Sequence, residues 1–217
     1  MAVTKRMLMD RRAHWENVYR GRAVTALSWY RPHLEVSFEV IERVARSKRA
    51  AILDIGGGAS TLVDDLPAAG FDEVSVLDIA GDALEASRLR LGDAAKRVKW
   101  IAADFLDAEL ELQSYDLCHD RAVFHFLSSA EEKAAYFAQV ACILKPHGAL
   151  ILATFALEGP ERCSGLEVSR YDEAALRKVM GGCFEVMESR RDSHRTPAGS
   201  VQEMMYFVLR RNASSSD

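Results

Sequence analysis

The residues whose spacing most clearly indicates chemistry are three consecutive glycines. They directly follow a short apolar run that carries one acid near its end. In "AILDIGGGAS", Asp54 comes just before the loop that runs from Gly56 to Gly58. A nucleoside triphosphate site would need Lys-Ser or Lys-Thr after the glycines, and neither follows. A dinucleotide site would need G-x-G-x-x-G, but Thr61 occupies the third position and Asp54 would repel a pyrophosphate. The pattern favours a nucleoside without phosphate that carries a positive charge.

Two further acids stand where such a nucleoside would need hydrogen-bond acceptors. Asp78 ends the next apolar run, and its carboxylate could accept hydrogen bonds from both ribose hydroxyls. Asp104, in "AADFLD", could accept one from an adenine amino group, while Ile79 or Phe105 lies against the ring. The alternative for Asp104 is a purely structural turn or capping acid.

The elements that must position these residues alternate between strands and helices. Strands separated by helices of this length indicate parallel crossover units, hence a doubly wound α/β sheet. The last two strands have no helix between them, which predicts an antiparallel hairpin at one edge. The predicted strands are Ala50–Ile55, Glu73–Asp78, Val98–Ala102, Tyr115–His119, Ala149–Phe155, Phe184–Arg190 and Glu203–Leu209. The predicted helices are Thr61–Ala69, Asp82–Leu91, Ala130–Leu144 and Asp172–Val179.

Composition limits the class of partner. The formal net charge of -4 argues against a nucleic acid. No apolar run approaches the roughly 20 residues that span a bilayer, and the start of the chain does not read as a secretory leader. The four cysteines show no C-x-x-C spacing, so we expect no metal site. The expectation is a cytoplasmic protein with reduced thiols and no membrane partner, either a monomer or a homodimer.

In this order, the motifs resemble those of class I S-adenosylmethionine-dependent methyltransferases. "ILDIGGGAS" is similar to the cofactor loop of that family, with Ser60 where a third glycine is common. "VSVLDIAGDALEASR", "AADF", "YDLCHDRAVFHFL" and "ILKPHGALILATF" resemble its later motifs, with His147 where glycine is usual. The resemblance implies a Rossmann-like, mostly parallel seven-stranded sheet with an antiparallel closing strand. It also implies S-adenosylmethionine as cofactor and an in-line methyl transfer. It places ten residues at the cofactor: Trp29, Asp54, Gly56, Gly57, Gly58, Asp78, Ile79, Asp104, Phe105 and Asp120.

The loop after the fourth strand supplies the catalytic candidates. It reads "HDRAVFHF" and lacks the N/D-P-P-Y motif of amino-group methyltransferases. Asp120 could orient a substrate or the cofactor amine, although capping a turn is an equal alternative. Arg121 could bind an acidic group of the acceptor. His125 could act as a base, with a packed structural histidine as the alternative.

The N-terminal segment is rich in aromatic residues and precedes the first strand. Trp15 and Tyr19 share one helix face, and "SWY" follows them. This leader weakly resembles that of thiopurine-type thiol methyltransferases. We therefore divide the chain into a helical lid (residues 1–33), a methyltransferase domain (residues 34–211) and a disordered tail (residues 212–217). The candidate substrate-binding residues are Trp15, Tyr19, Tyr30, Cys163 and His194.

The acceptor is the least determined part of the function. The hypothesis is a small molecule with a thiol or related soft nucleophile, since a thiol needs little help to ionise. The rival is a protein lysine, for which Asp120, Trp29 and Tyr30 would form an acidic, aromatic channel. Two other classes stay open: a dinucleotide-dependent oxidoreductase and a non-catalytic nucleoside-binding module.

Overall fold

The computed structural model describes the backbone of residues 2–212 and the side chains of residues 11–212. The tail predicted to be disordered lies outside this range except for Asn212. Nine strands are present: β1 (Ile52–Ile55), β2 (Val74–Asp78), β3 (Val98–Ala102), β4 (Tyr115–Arg121), β5 (Leu144–Phe155), β6 (Arg162–Cys163), β7 (Leu166–Glu167), β8 (Phe184–Arg195) and β9 (Val201–Arg211). The helices are α1 (Ala2–Arg20), α2 (Glu35–Val44), α3 (Leu62–Ala68), α4 (Gly81–Leu91), α5 (Ala130–Ile143) and α6 (Glu173–Val179).

Seven strands form one sheet, in the order β3-β2-β1-β4-β5-β9-β8. The pairs from β3 through β5 are parallel, while β9 is antiparallel to both β5 and β8. The predicted doubly wound sheet with a closing antiparallel strand is therefore confirmed. Strand order reverses between β1 and β4, so their carboxyl ends open a crevice, the place where open α/β sheets bind ligands.

Both faces of the sheet are buried, which explains the nearly continuous apolar runs of its central strands. Leu53 and Ile55 of β1 face one core with α5 and α6, whereas Ile52 faces the other core with α2 and α3. Helix α5 begins at a capping box in which Ser129 and Glu132 satisfy each other's backbone N–H groups. Helices packed on both faces of the sheet therefore hold the carboxyl ends of β1 to β4 in place.

The sequence prediction was wrong about where β5 begins. We expected the helix to end at Leu144, the residues "KPHG" to follow it, and the strand to start at Ala149. The strand instead follows the helix at Leu144, and its pairing with β4 is irregular before Ala149. His147 occupies a left-handed conformation with φ of 62° inside this irregular stretch. The turn residues therefore bend the strand and do not separate it from the helix.

Among the described residues, no helix is both long and apolar enough to cross a membrane.

Candidate functional site

A largely apolar cavity of about 170 Å³ opens at the carboxyl ends of β1 to β4, beneath α1. Ten of the residues proposed from the sequence line it: Trp15, Tyr19, Trp29, Gly56, Asp78, Ile79, Asp104, Phe105, Arg121 and Cys163. A smaller adjoining cavity of about 40 Å³ is lined by three more, Tyr30, Asp54 and Gly57. The glycine loop separates the two cavities, and Gly56, Tyr19, Trp29 and Arg121 border both.

The glycine loop has no room for side chains. A Cβ atom at Gly58 would lie 2.6 Å from Asp78 Oδ2 and 2.7 Å from the hydroxyl oxygen of Tyr19. Gly58 also has a positive φ of 37°, a conformation that side chains rarely adopt. Ser87 of α4 donates a hydrogen bond to the Gly58 carbonyl at 2.8 Å and ties the loop down. The loop is thus a fixed, close-approach backbone surface beside two buried acids.

Asp78 is buried where β2 ends. One carboxylate oxygen accepts a hydrogen bond from the Ala80 N–H at 2.8 Å. Burial raises the pKa of Asp78 to about 7, and the nearby charge of Asp54 acts in the same direction. Such a desolvated carboxyl is a strong acceptor for ligand hydroxyls once it is ionised.

Asp104 caps the short turn that follows β3. Its Oδ1 accepts a hydrogen bond from the Leu106 N–H at 3.1 Å, so the alternative role of a turn acid is present in the structure. Its Oδ2 lies 3.5 Å from Nη1 of Arg11 on α1. Phe105 is buried beside it and also borders the cavity. The acid therefore joins α1 to the sheet and still faces the cavity.

Asp120 does not line either cavity. Its buried carboxylate accepts hydrogen bonds from the Tyr136 hydroxyl at 2.6 Å and from the backbone N–H groups of Val123 and Phe124. Burial raises the pKa of Asp120 to about 6. The carboxylate thereby holds the turn in which Ala122 adopts a φ of 71°. The structure gives Asp120 the capping role that the sequence left as an alternative.

Arg121 lies beside the glycine loop and lines both cavities. Its Nη1 donates a hydrogen bond to the Trp29 carbonyl at 3.1 Å. Its Nε is buried and has no hydrogen-bond partner among the described residues. A buried guanidinium N–H without an acceptor is costly, which indicates a place for a ligand acceptor atom.

His125 lies behind the cavity and not in its lining. Its ring packs against Phe126 and Phe155, with centroid separations of 4.5 and 4.8 Å. Both ring nitrogens are buried without a hydrogen-bond partner among the described residues. Burial, together with the charge of Arg121, lowers the pKa of His125 to about 3. The imidazole is therefore neutral near pH 7, and it lines neither cavity.

His194 also lies outside both cavities, on β8. Its Nδ1 accepts a hydrogen bond from Arg31 Nε at 2.9 Å, and its Nε2 donates one to the Ser28 carbonyl at 2.7 Å. Burial lowers the pKa of His194, and the charges of Arg121 and Arg31 act in the same direction. These hydrogen bonds hold Ser28 and Arg31, which follow α1 in the chain, against the β8–β9 hairpin.

Helix α1 covers the cavity with an aromatic cluster. Trp15 packs edge-on against Phe126 at 4.9 Å and against Trp29 at 6.1 Å, while Tyr19 packs against Trp29 at 6.0 Å. Burial, and then the charge of Asp78, raise the pKa of Tyr19, which stays a neutral phenol. This cluster forms an apolar aromatic cover over the cavity.

Several residues of the site carried no signal in the sequence. They come from elements far apart in the chain, and most of them are apolar or aromatic residues that form no motif. They are Arg11, Ile55, Val123, Phe126, Tyr136, Phe155, Leu166, Gln202 and Met204. Gln202 and Met204 reach the site because β9 lies beside β5. Among the described residues, no group of three or more His, Cys, Asp or Glu side chains could hold a metal ion.

The fold and the site together define a Rossmann-like nucleoside-binding domain. Residues 52–148 match the family described as "Methyltransferase domain". We therefore identify in this chain a class I, Rossmann-like methyltransferase domain, a class whose cofactor is S-adenosylmethionine.

Known proteins similar to this chain differ in their acceptors. EEF1A lysine methyltransferase 2 of Danio rerio is 29% identical over 114 residues, which are 50% of this chain and 49% of that protein. Malonyl-[acyl-carrier protein] O-methyltransferase of Anoxybacillus flavithermus is 29% identical over 141 residues, 63% of this chain and 51% of that protein. The chain thus spans about half the length of these two relatives.

Among solved structures, a Burkholderia thailandensis enzyme has the same fold. It is 1,6-didemethyltoxoflavin-N1-methyltransferase with bound 1,6-didemethyltoxoflavin and S-adenosylhomocysteine. The TM-score is 0.66 at 18% identity, covering 97% of this chain and 88% of that chain.

Proposed function

We propose that this chain transfers the methyl group of S-adenosylmethionine to a small acceptor with a soft nucleophile, such as a thiol, and an anionic group. The observation that carries this proposal is the environment of Arg121. Arg121 lines a mainly apolar cavity, and its buried Nε has no hydrogen-bond partner among the described residues. The carboxylates of that lining are Asp78 and Asp104, which follow β2 and β3 at the nucleoside end.

The residues at the glycine loop fit S-adenosylmethionine. At Gly58 the loop backbone lies close against Asp78, where a Cβ atom would be 2.6 Å from Oδ2, and the Asp78 carboxylate suits the ribose hydroxyls. Asp104 and Phe105 suit the adenine ring. Asp54 has a buried oxygen without a hydrogen-bond partner among the described residues, and this oxygen suits a cationic group of the ligand. We therefore assign the larger cavity to the nucleoside and acceptor, and the smaller one to the amino-acid end of the cofactor.

The chemistry requires positioning more than proton transfer. When bound, S-adenosylmethionine supplies an electrophilic methyl group on a sulfonium. Trp15, Trp29 and Phe126 would hold the acceptor in line with that group and keep water out. Orientation of this kind can contribute as much as about 7–11 kcal/mol to lowering a barrier, and dehydration makes the nucleophile more reactive.

Arg121 would also promote ionisation of the acceptor. A thiol has a pKa near 8.5, which a guanidinium in an apolar site lowers toward neutrality. His125 is ill-suited to take the proton, because its pKa is lowered to about 3 and it lies behind the cavity lining. In this proposal the thiol gives its proton to bulk water before it enters the cavity, and Arg121 stabilises the resulting thiolate, so that no histidine base is needed.

A lysine acceptor is the competing assignment because of the similarity to an EEF1A lysine methyltransferase. Lysine must lose a proton before it reacts, and an acidic channel would favour its binding. The acid expected to form that channel, Asp120, is occupied by Tyr136 and by two backbone N–H groups. This arrangement favours the small acceptor.

The test is an acceptor screen with radiolabelled S-adenosylmethionine. Small thiols and selenols that carry a carboxylate are compared with their methyl esters, and a cell lysate supplies protein acceptors. We expect label in thiol carboxylates, weak labelling of the esters, and a raised KM for the acids in Arg121→Met with partial recovery in Arg121→Lys. Label found only in macromolecules would show that the small-acceptor assignment is wrong.

A binding control separates the acceptor from the cofactor. Affinity for S-adenosylhomocysteine is measured by calorimetry in wild type and in Arg121→Met. We expect it to change little. A large loss would place Arg121 at the cofactor and contradict its assignment to the acceptor.

A further inference from the structure

The smaller cavity contains a buried carboxylate with one oxygen unexplained. Asp54 is 3% exposed and lines this cavity together with Gly57 and His119. Its Oδ1 is 2.7 Å from His119 Nδ1, whereas its Oδ2 has no hydrogen-bond partner among the described residues. A buried carboxylate oxygen without a donor carries its full desolvation cost, so a native structure needs a reason to keep it.

The free oxygen is directed at the glycine loop. A Cβ atom at Gly57 would lie 2.5 Å from Asp54 Oδ2. Only a glycine at this position leaves space beside the oxygen on the side of the loop. The oxygen is therefore placed to meet a donor that arrives with the ligand.

A chain of buried hydrogen bonds leads from Asp54 on β1 to Tyr206 on β9. We call its four residues, Tyr206, Ser37, His119 and Asp54, the Asp54 relay. The Tyr206 hydroxyl is 3.3 Å from Ser37 Oγ, and Ser37 Oγ is 2.9 Å from His119 Nε2. All four side chains are buried. They come from β9, α2, β4 and β1, so they share no local sequence pattern.

Every hydrogen bond of the Asp54 relay can form when each group donates toward Asp54. Tyr206 donates to Ser37, Ser37 donates to His119 Nε2, and His119 Nδ1–H donates to Asp54 Oδ1. Ser37 and His119 then each accept one hydrogen bond and donate another, and Tyr206 donates at the end of the chain. This direction fixes the ring of His119 and, through it, the rotation of the Asp54 carboxylate.

We infer that the Asp54 relay aims Asp54 Oδ2 at the α-ammonium group of the cofactor, with His119 as the positioning residue. The inference rests on the proposed function, because it assigns the amino-acid end of S-adenosylmethionine to the smaller cavity. His119 acts on the ligand through Asp54. It acts by keeping one carboxylate oxygen engaged so that the other one faces the loop.

The experiment compares two ligands that differ only in this end. S-adenosylhomocysteine carries the amino-acid group, and 5′-methylthioadenosine lacks it. Calorimetry with wild type, His119→Leu and His119→Asn gives the affinity for each. We expect His119→Leu to lose about 10-fold or more for S-adenosylhomocysteine, on the scale of a charge-assisted hydrogen bond, while binding of 5′-methylthioadenosine stays within about 2-fold. His119→Asn, which keeps a donor near the Nδ1 position, recovers part of the loss.

Two further variants keep the inference testable if His119→Leu does not fold. Ser37→Ala and Tyr206→Phe remove single hydroxyls, and we expect smaller losses in the same ligand-selective sense, larger for Ser37→Ala because it contacts His119. Equal losses for both ligands, or no loss for either, would overturn the inference. Failure of wild type to bind either ligand would instead contradict the proposed function.

Discussion

Arg11 of α1 and Asp104 at the end of β3 face each other, with Nη1 and Oδ2 3.5 Å apart. The same guanidinium also contacts Glu132 at the start of α5. Arg11 therefore fastens α1 to two elements of the sheet domain, over the cavity. One of its partners is the acid that we assign to the adenine ring, so closure of the helix and binding of the nucleoside involve the same carboxylate.

Removing the ion pairs of Arg11 should weaken the hold of α1 on the sheet domain. Arg11→Ala should speed the dissociation of S-adenosylhomocysteine by a few-fold, because partly exposed ion pairs contribute only about 0.2–1 kcal/mol. Stopped-flow displacement measures the rate. Arg12→Ala is the matched control, since Arg12 is exposed one residue further along the helix. Equal rates in the two variants would mean that Arg11 does not hold the helix closed.

Deletion of residues 1–20 tests whether α1 is a lid. The later part of the predicted lid segment is bound to the sheet, since Leu27 is buried and the Ser28 carbonyl accepts from His194. Removing α1 alone should leave the circular dichroism of the sheet domain in place, quicken cofactor dissociation and lower turnover. Full activity in the truncated protein would mean that the aromatic cluster only packs.

Asp78 is the residue whose loss should weaken cofactor binding most directly. Asp78→Ala removes a buried acceptor for the ribose hydroxyls and should reduce affinity for S-adenosylhomocysteine by about 10- to 150-fold, or roughly 1.5–3 kcal/mol. Adenosine should suffer the same loss, because it carries the same ribose. A folded variant with wild-type affinity would remove Asp78 from the site.

The same carboxyl should make stability of the free protein depend on pH. The pKa of Asp78 is raised to about 7 in the folded state by burial, above the value of about 4 for an unfolded chain. The folded state therefore holds this proton longer, and stability is lost as pH rises through about 7. Asp78→Asn should raise the Tm above pH 7, with the gain shrinking as pH falls toward 4.

A control for this titration is Asp72→Asn, because Asp72 is exposed on the surface before β2. It should leave the Tm difference flat across the same range. A pH-independent gain in Asp78→Asn would contradict the assignment to this carboxyl.

Tyr136 and Asp120 should stabilise the turn that carries Arg121. Tyr136→Phe removes the 2.6 Å hydrogen bond to Asp120 and should cost about 1.5–3 kcal/mol of unfolding free energy in urea denaturation. Tyr171→Phe is the matched control, since the Tyr171 hydroxyl is buried without a partner among the described residues. Its removal should be neutral or stabilising. Similar losses in both variants would mean that the hydrogen bond contributes little.

Local sequence determined much of the fold and the meeting of three acids at one edge of the sheet. The alternation of apolar runs with helical segments identified the seven strands of the main sheet, because parallel strands buried on both faces have a recognisable pattern. Asp54, Asp78 and Asp104 each lie at or just beyond the carboxyl end of a strand, so their shared edge followed from topology alone.

Tertiary structure alone decided the roles of the charged and polar residues between them. Asp120, Arg121 and His125 are near neighbours in the chain, yet one caps a turn, one faces the cavity and one is packed behind it. The Asp54 relay joins β1, β4, α2 and β9, and Arg11 reaches Asp104 across 93 residues. The physical reason is that the direction of a side chain and the burial of its charge depend on packing between distant elements, and a local pattern cannot record them.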